Sequence, residues 1–189
     1  MTHHYRRSVV VAMVALVLGV ALTCSAAEKY NWQKFSSAKG RFEILFPGKP
    51  TTYHKATHTK IGDIGEEFFT YKDDKMTLTV EYSDLPSLAA IFGGRHTIYE
   101  RSKDGFLKST NGKEISFVNI SVGGTRGKEL VYVTPTRNGK TFFLEVGKRL
   151  YVIQASMIKK VTDTSPLDKF LHSFNPIYRE ARDYKSGQK

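Results

Sequence analysis

Between positions 139 and 157 the chain reads GKTFFLEVGKRLYVIQASM, two runs of β-branched and aromatic residues separated by Gly147-Lys148. A glycine leading a two-residue loop signals a tight hairpin, so 141–146 and 150–157 are predicted strands. In the second, Tyr151, Ile153, Ala155 and Met157 share one face, while Leu150 and Val152 occupy the other before Gln154 and Ser156 turn it polar. A sheet with one wet face would alternate cleanly. A strand apolar on both faces along part of its length needs cover on both sides, from helices.

The rest of the chain supplies partners for that hairpin. A polar lead-in over 28–34 brings Trp32 and Phe35 as the first apolar anchors. Phe42, Ile44 and Phe46 alternate in a strand that Pro47-Gly48-Lys49-Pro50 stops. Residues 51–60 read as an exposed, threonine-rich strand. In 63–72, Ile64, Glu66, Phe68 and Thr70 lie opposite Gly65, Glu67, Phe69 and Tyr71. Asp73-Asp74 makes a turn, and Met76, Leu78, Val80 and Tyr82 point inward from 76–82. Pro86 ends this meander, and a short helical turn over 87–92 is weakened by Gly93-Gly94.

Over 95–108 the residues Ile98, Ser102 and Phe106 fall four apart, the helical period. Asn111-Gly112 closes that helix. Ile115, Phe117 and Asn119 alternate in a strand over 114–121, Gly123-Gly124 turns the chain, and 126–134 returns as a strand with Leu130, Tyr132 and Thr134 opposite Val131 and Val133. After the hairpin, Ser165 as N-cap, Pro166 at the first helical position and Asp168 in the first turn begin a last helix. Leu167, Phe170, Leu171 and Phe174 form its apolar face and Pro176 ends it. The expected fold is α+β: an antiparallel β-sheet of about seven to eight strands with helices on both faces. It forms one domain over 28–176, followed by a charged, disordered tail over 177–189, with no internal repeat and no linker.

The first 27 residues have the layout of an export signal: a positive stretch ending in Arg6-Arg7, an apolar run over 9–22, and the small residues Ser25-Ala26-Ala27. Fourteen apolar residues are too few to span a bilayer. Cleavage between Ala27 and Glu28, or one residue earlier, leaves 162 residues in the periplasm or outside the cell, with no transmembrane helix. Arg6-Arg7 fits a twin-arginine signal poorly between Tyr5 and Ser8-Val9-Val10, so ordinary export is the reading. Cys24, the sole cysteine, would carry a lipid anchor in a lipoprotein, but Ala21-Leu22-Thr23 departs from the usual small residues before such a site. Without Cys24 the mature chain has no thiol, which removes disulfides, thiolate metal sites, iron–sulfur clusters and cysteine nucleophiles together.

Charge is the other broad signal. The chain carries 29 Lys+Arg against 18 Asp+Glu, a net +11, which falls to +9 when Arg6 and Arg7 leave with the leader. Such a balance favours acidic partners, but the positive residues are dispersed along the whole length, which argues against a nucleic-acid stripe.

Three spaced signatures carry a resemblance. Trp32 and Phe35 followed by Gly40-Arg41-Phe42-Glu43-Ile44-Leu45-Phe46-Pro47-Gly48-Lys49-Pro50 open the domain; Gly124-Thr125-Arg126-Gly127-Lys128-Glu129 stands in the middle; Leu167-Asp168-Lys169-Phe170-Leu171-His172-Ser173-Phe174 closes it. Together, over nearly all of 32–176, the chain resembles the exported bacterial domains of PsbP-like or Mog1-like type. The resemblance implies an antiparallel sheet sandwiched between helices, and no enzymatic activity. Of the better-known relatives, one type docks on the oxygen-evolving side of photosystem II and another on a nuclear transport GTPase. The matching positions here are turn and core residues, so no functional residue is carried across.

The chemistry-bearing residues read mostly as structure. His54 and His58 share a strand face about 13 Å apart, too far for one metal ion unless a turn joins them. Asp168 and His172 are one helical turn apart and could touch; their expected roles are charges at the two ends of the helix dipole. Glu66 and Glu67 are adjacent on a strand and point to opposite faces, so they cannot act as a pair. Asp73, Asp74 and Asp63 could form a weak calcium site, without the spacing of a helix–loop–helix calcium site. The run from Gly123 to Gly127 lacks the Gly-Lys-Ser/Thr ending of a phosphate loop and joins two strands. Asn119-Ile120-Ser121 spells a glycosylation sequon within a predicted strand.

No serine-nucleophile elbow, His-Glu-x-x-His helix or dinucleotide fingerprint is present, and no catalytic, cofactor-binding or metal-binding residue is nominated. The expected function is an exported, non-enzymatic binding or assembly module that contacts an envelope protein or acidic polymer through its basic surface. The alternative is a carrier of a small amphiphile held between sheet and helix by the many aromatics; an unrecognised hydrolase is third.

Overall fold

In the computed structural model, which describes residues 30–59, 62–85 and 95–178, the elements follow in the order β1 (Gln33–Ser37), β2 (Phe42–Phe46), β3 (Thr51–Thr59), β4 (Gly62–Lys72), β5 (Met76–Asp84), α1 (Arg95–Thr110), β6 (Lys113–Val122), β7 (Thr125–Val133), β8 (Arg137–Val146), β9 (Arg149–Ile158), α2 (Ser165–His172) and β10 (Asn175–Pro176). The export leader with its Ala27–Glu28 junction, Cys24, the predicted helical turn over 87–92 and the tail from 179 lie outside the described residues, as do the side chains of His58 and Asp63.

Seven strands form one antiparallel sheet in the order β3-β4-β5-β9-β8-β7-β6. β9 lies at its centre, between β5 and β8, and every residue from Arg149 to Ile153 is buried. Its two apolar faces are covered from opposite sides. Leu150 and Val152 pack with Ile98 and Tyr99 of α1 and with Leu130, Tyr132 and Phe143. On the other face Tyr151 meets Phe42 of β2 and Phe174 just beyond α2. The helices therefore stand on opposite faces of the sheet, as the two-faced strand requires.

Two placements differ from the sequence reading. The strand of Phe42, Ile44 and Phe46 does not join the large sheet; it is the centre of a second, three-stranded sheet ordered β1-β2-β10, packed beside α2. Alternation buries the same three residues in either sheet, so the pattern could not choose between them. β1, which has Phe35 as its one large apolar residue, falls inside the segment read as a lead-in and its continuation. Ile177 and Tyr178, assigned to the tail, are hydrogen-bonded to the domain: the Ile177 amide donates to the Arg41 carbonyl at 2.9 Å, and the Tyr178 and Thr125 hydroxyls pair.

Local signals decide the turns. Gly147 has φ +64° and Lys148 does not share the left-handed region, the geometry of a type II′ hairpin. Gly123 and Gly124 both have positive φ, at 54° and 76°, as a type I′ turn demands. Asn111 takes the left-handed position after α1; its amide donates to the Lys108 carbonyl and the Gly112 amide to that of Leu107, closing the helix with a Schellman pair. The start of α2 departs from expectation. Thr164, not Ser165, holds the N-cap position, without a side-chain cap bond; Asp163 Oδ1 accepts the Ser165 amide at 3.0 Å instead. Ile115 is 61% exposed, since a bulge between Glu114 and Ser116 takes it out of the alternation that half-buries Phe117.

Candidate functional site

Helix α1 rests on the sheet through Ile98 and Tyr99, with Phe106 and Leu107 packed against the same cluster. Lys103 fixes its flank: the ammonium bridges Glu100 and Glu114 of β6, 2.9 Å from each, and lies 4.9 Å from the centre of the Phe117 ring. Those two carboxylates raise the Lys103 pKa, so the bridge stays charged.

Between the flank of α1 and strands β3, β4 and β5 a cleft of about 520 Å³ opens on this face. Ser102, Gly105, Phe106 and Ser109 form the helix wall; Phe143, Leu150 and Val152 form an apolar floor; Lys55, Glu66, Phe68, Glu81 and Gln154 form the opposite side. The volume suits a small organic molecule, and the lining has the usual composition of such a site: apolar surface with a few convergent polar groups. Tyr53 and Phe68, cross-strand partners on β3 and β4, stack face to face with ring centres 4.4 Å apart and planes 4° apart. Tyr53 remains 51% exposed, so the stack ends in an aromatic surface facing solvent.

Glu81 is the chemically distinctive residue of the cleft. The alternation that sends Leu78, Val80 and Tyr82 into the core turns Glu81 to the cleft face, between Phe68 on β4 and Val152 on β9. Its hydrogen-bond partner is Gln154, whose Nε2 donates to Oε2 at 3.3 Å. Among the described residues no cation reaches ion-pair distance of it; Lys55 is bound instead to Glu66, at 3.7 Å. Burial, then the neighbouring Glu66 charge, push the Glu81 pKa up to about 7, against a smaller opposing effect of Lys55. The cleft therefore holds a carboxyl poised between its neutral and charged forms near neutral pH.

Sequence inspection did not single out Glu81, although a signal existed. It occupies the cleft face of the strand that pairs with the two-faced β9, directly opposite Val152, and a carboxyl so placed loses water.

The residues that were singled out are dispersed. Glu66 and Glu67 do point to opposite faces: Glu66 lines the cleft, while Glu67 pairs with Lys39 and lies 3.4 Å from His54 Nδ1 on the far side. Asp168 and His172 do not work together, since Asp168 Oδ1 takes the Lys140 ammonium at 2.6 Å and the His172 ring packs edge-on to Phe142. Asp73 Oδ1 accepts the amides of Lys75 and Met76 at 2.8 and 2.7 Å, and is a turn residue. Asp63 lies at the start of β4 and Asp73 just past its end, about 33 Å apart along an extended strand, which rules out a shared calcium ion. No group of three metal-ligating side chains occurs among the described residues. The glycine pair at 123–124 joins β6 to β7 and does not precede a helix.

No helix among the described residues is long and apolar enough to cross a membrane. No family model matches the chain, and no curated protein does. Among solved structures, the solution structure of cyanobacterial PsbP (CyanoP) from Synechocystis sp. PCC 6803 covers 82% of this chain and 97% of its own, at 18% identity and a TM-score of 0.56. A Pseudomonas aeruginosa protein described as a putative regulator covers 69% of this chain and 85% of its own at 8% identity, and its TM-score of 0.35 is too low to carry an argument. Two antiparallel sheets of seven and three strands with two helices, matched over almost the whole of CyanoP, are the PsbP-like fold, and that is the fold of this chain.

Proposed function

We propose that the chain is an exported, non-catalytic binding module that holds a small amphiphile in the cleft between α1 and the sheet. The observation that carries this reading is the cleft itself: a cavity of about 520 Å³ with an aromatic and aliphatic floor and one desolvated carboxyl, beside a sheet whose central strand is otherwise buried. The signal-like leader supports export, and the lack of any recognised catalytic motif in the sequence is compatible with a binding role. Geometry thus favours the carrier alternative over docking through a basic surface.

Native mass spectrometry of the protein purified gently from an envelope fraction tests the proposal. The wild type is expected to carry an adduct mass that Ser102→Trp, which fills the helix wall of the cleft, loses while remaining folded. Clean apo protein, or an adduct indifferent to the substitution, would count against it. The same material tests export, which predicts a chain beginning at Glu28 or at Ala27.

The net charge of +11 favours a second reading, contact with an acidic envelope protein or polymer. Its mark is a partner captured at low salt and released at high salt, independently of Ser102→Trp.

A further inference from the structure

The chemistry of the cleft specifies its occupant more narrowly than an apolar cavity would. Three features converge on one side of it: Glu81, without a cation at ion-pair distance among the described residues; Glu66 on the neighbouring strand; and the parallel stack of Tyr53 and Phe68, whose π-faces attract positive charge. The floor and the helix wall add the apolar surface of Phe106, Phe143 and Val152, with the hydroxyls of Ser102 and Ser109 beside it and Arg101 at the rim. A desolvated carboxyl is satisfied best by a partner that brings its own positive charge and N–H donors.

We propose that the cleft takes an amphiphilic amine, with its ammonium group seated on Glu81 and its alkyl or aryl body on Phe106, Phe143 and Val152. This deepens the reading of the chain as an amphiphile-holding module and rests on it. An anionic head placed at the Glu81 side of the cleft is disfavoured because it would face both Glu66 and Glu81. A neutral one would leave the half-buried carboxyl as it stands. The charged or titratable groups facing Glu81 are Glu66 on β4, Lys55 and Tyr53 on β3, and Arg101 on the α1 rim of the cleft; Lys55 is held by Glu66.

A pH signature follows. Burial and the neighbouring Glu66 push the Glu81 carboxyl up to about 7, and an ammonium binds its ionised form. Amine affinity therefore rises as pH climbs through neutrality, when protons no longer compete, and falls toward pH 5.5. An alkylammonium stays protonated throughout this range, so the titrating group belongs to the protein.

The test is a titration of the mature chain, followed by calorimetry and by amide chemical shifts, with three probes of one shape: 4-phenylbutylamine, 4-phenylbutan-1-ol and 4-phenylbutyrate. At pH 8 the amine is expected to bind about tenfold more tightly than the alcohol, the order of a charge-assisted hydrogen bond, and the carboxylate more weakly than either. At pH 5.5 the amine advantage shrinks. Glu81→Gln, close to isosteric, should abolish both the advantage and its pH dependence, and amide shifts outside the cleft that match the wild type show the variant to be folded. Equal binding of amine and alcohol at pH 8, or an advantage that survives Glu81→Gln, overturns the assignment of an amine while leaving the cleft as a binding site. If none of the three probes shifts amides of the cleft, the reading of the cleft as a binding site falls, and this inference falls with it.

Discussion

Arg149 of β9 stands directly opposite Asp84 of β5 in the sheet, and the two side chains close a two-point ion pair, with Nε 2.6 Å from Oδ1 and the terminal nitrogen on Oδ2. The Arg149 side chain is only 5% exposed. It also donates to the Lys39 carbonyl at 2.7 Å and lies 4.2 Å from the centre of the Tyr82 ring. With the Tyr151 hydroxyl on the Gly40 carbonyl at 2.8 Å, it fastens the β1–β2 turn, and so the small sheet, to the large one.

Removing Asp84 strands a buried cation. Asp84→Asn is expected to cost about 1–3 kcal/mol in urea denaturation at pH 7. The hydrogen bond from Arg149, with its charge, holds the Asp84 carboxyl below the usual carboxylate range. Its stabilisation is therefore complete above the unfolded pKa of about 4 and is lost as pH falls through the lower folded value. The variant should have a flatter acid limb than the wild type below pH 4.

Phe42 is fully buried, and its ring contacts Phe35, Phe69, Tyr151 and Phe174, so it joins both sheets and the end of α2. Phe42→Ala is expected to cost about 3–5 kcal/mol, since rings anchored in different elements cannot collapse into the space. Chemical denaturation with a midpoint shift at constant slope is the check.

Two glycines should respond in opposite directions. A Cβ on Gly127 would lie 2.2 Å from the Phe143 carbonyl oxygen, a backbone atom of the adjacent strand that cannot step aside, so Gly127→Ala must distort the β7–β8 ladder. On Gly105, in the interior of α1, a Cβ meets nothing within 4 Å. Gly105→Ala is expected to stabilise the protein by roughly 0.5–1 kcal/mol through helix propensity, and Gly127→Ala to destabilise it. Thermal unfolding of the two variants side by side decides.

Glu81 predicts a pH effect of the other sign from Asp84. Its pKa rises from 4.5 in the unfolded chain to about 7 in the folded one, so the folded state favours the neutral acid and loses stability as pH climbs between those values. Glu81→Gln should leave stability at pH 4 nearly unchanged and raise it at pH 8 by about 2 kcal/mol, the order of such a shift. Denaturation curves at the two pH values measure it.

Much of the architecture is written in local patterns. Leu150 with Val152 on one face and Tyr151 with Ile153 on the other required cover on both sides, and the structure supplies α1 and α2 there. Glycine at 147 and at 123–124 set the hairpins because their positive φ suits no other residue as well. What stayed hidden depends on tertiary placement. Phe42, Ile44 and Phe46 alternate identically whichever sheet receives them. Ile115 looks like a core residue until a bulge shifts it outward. Glu81 becomes unusual only because β5 lies against β9 beside the flank of α1, a relation between segments some 70 residues apart.

Hydrogen–deuterium exchange of the mature chain, with and without a small-molecule extract of the envelope, tests the cleft most directly. The account predicts slowed exchange in α1 and in β4 and β5 beside Glu66, Phe68 and Glu81, with the small sheet and α2 unaffected. Protection confined to α2 and the small sheet, or none in α1, β4 and β5, would contradict it.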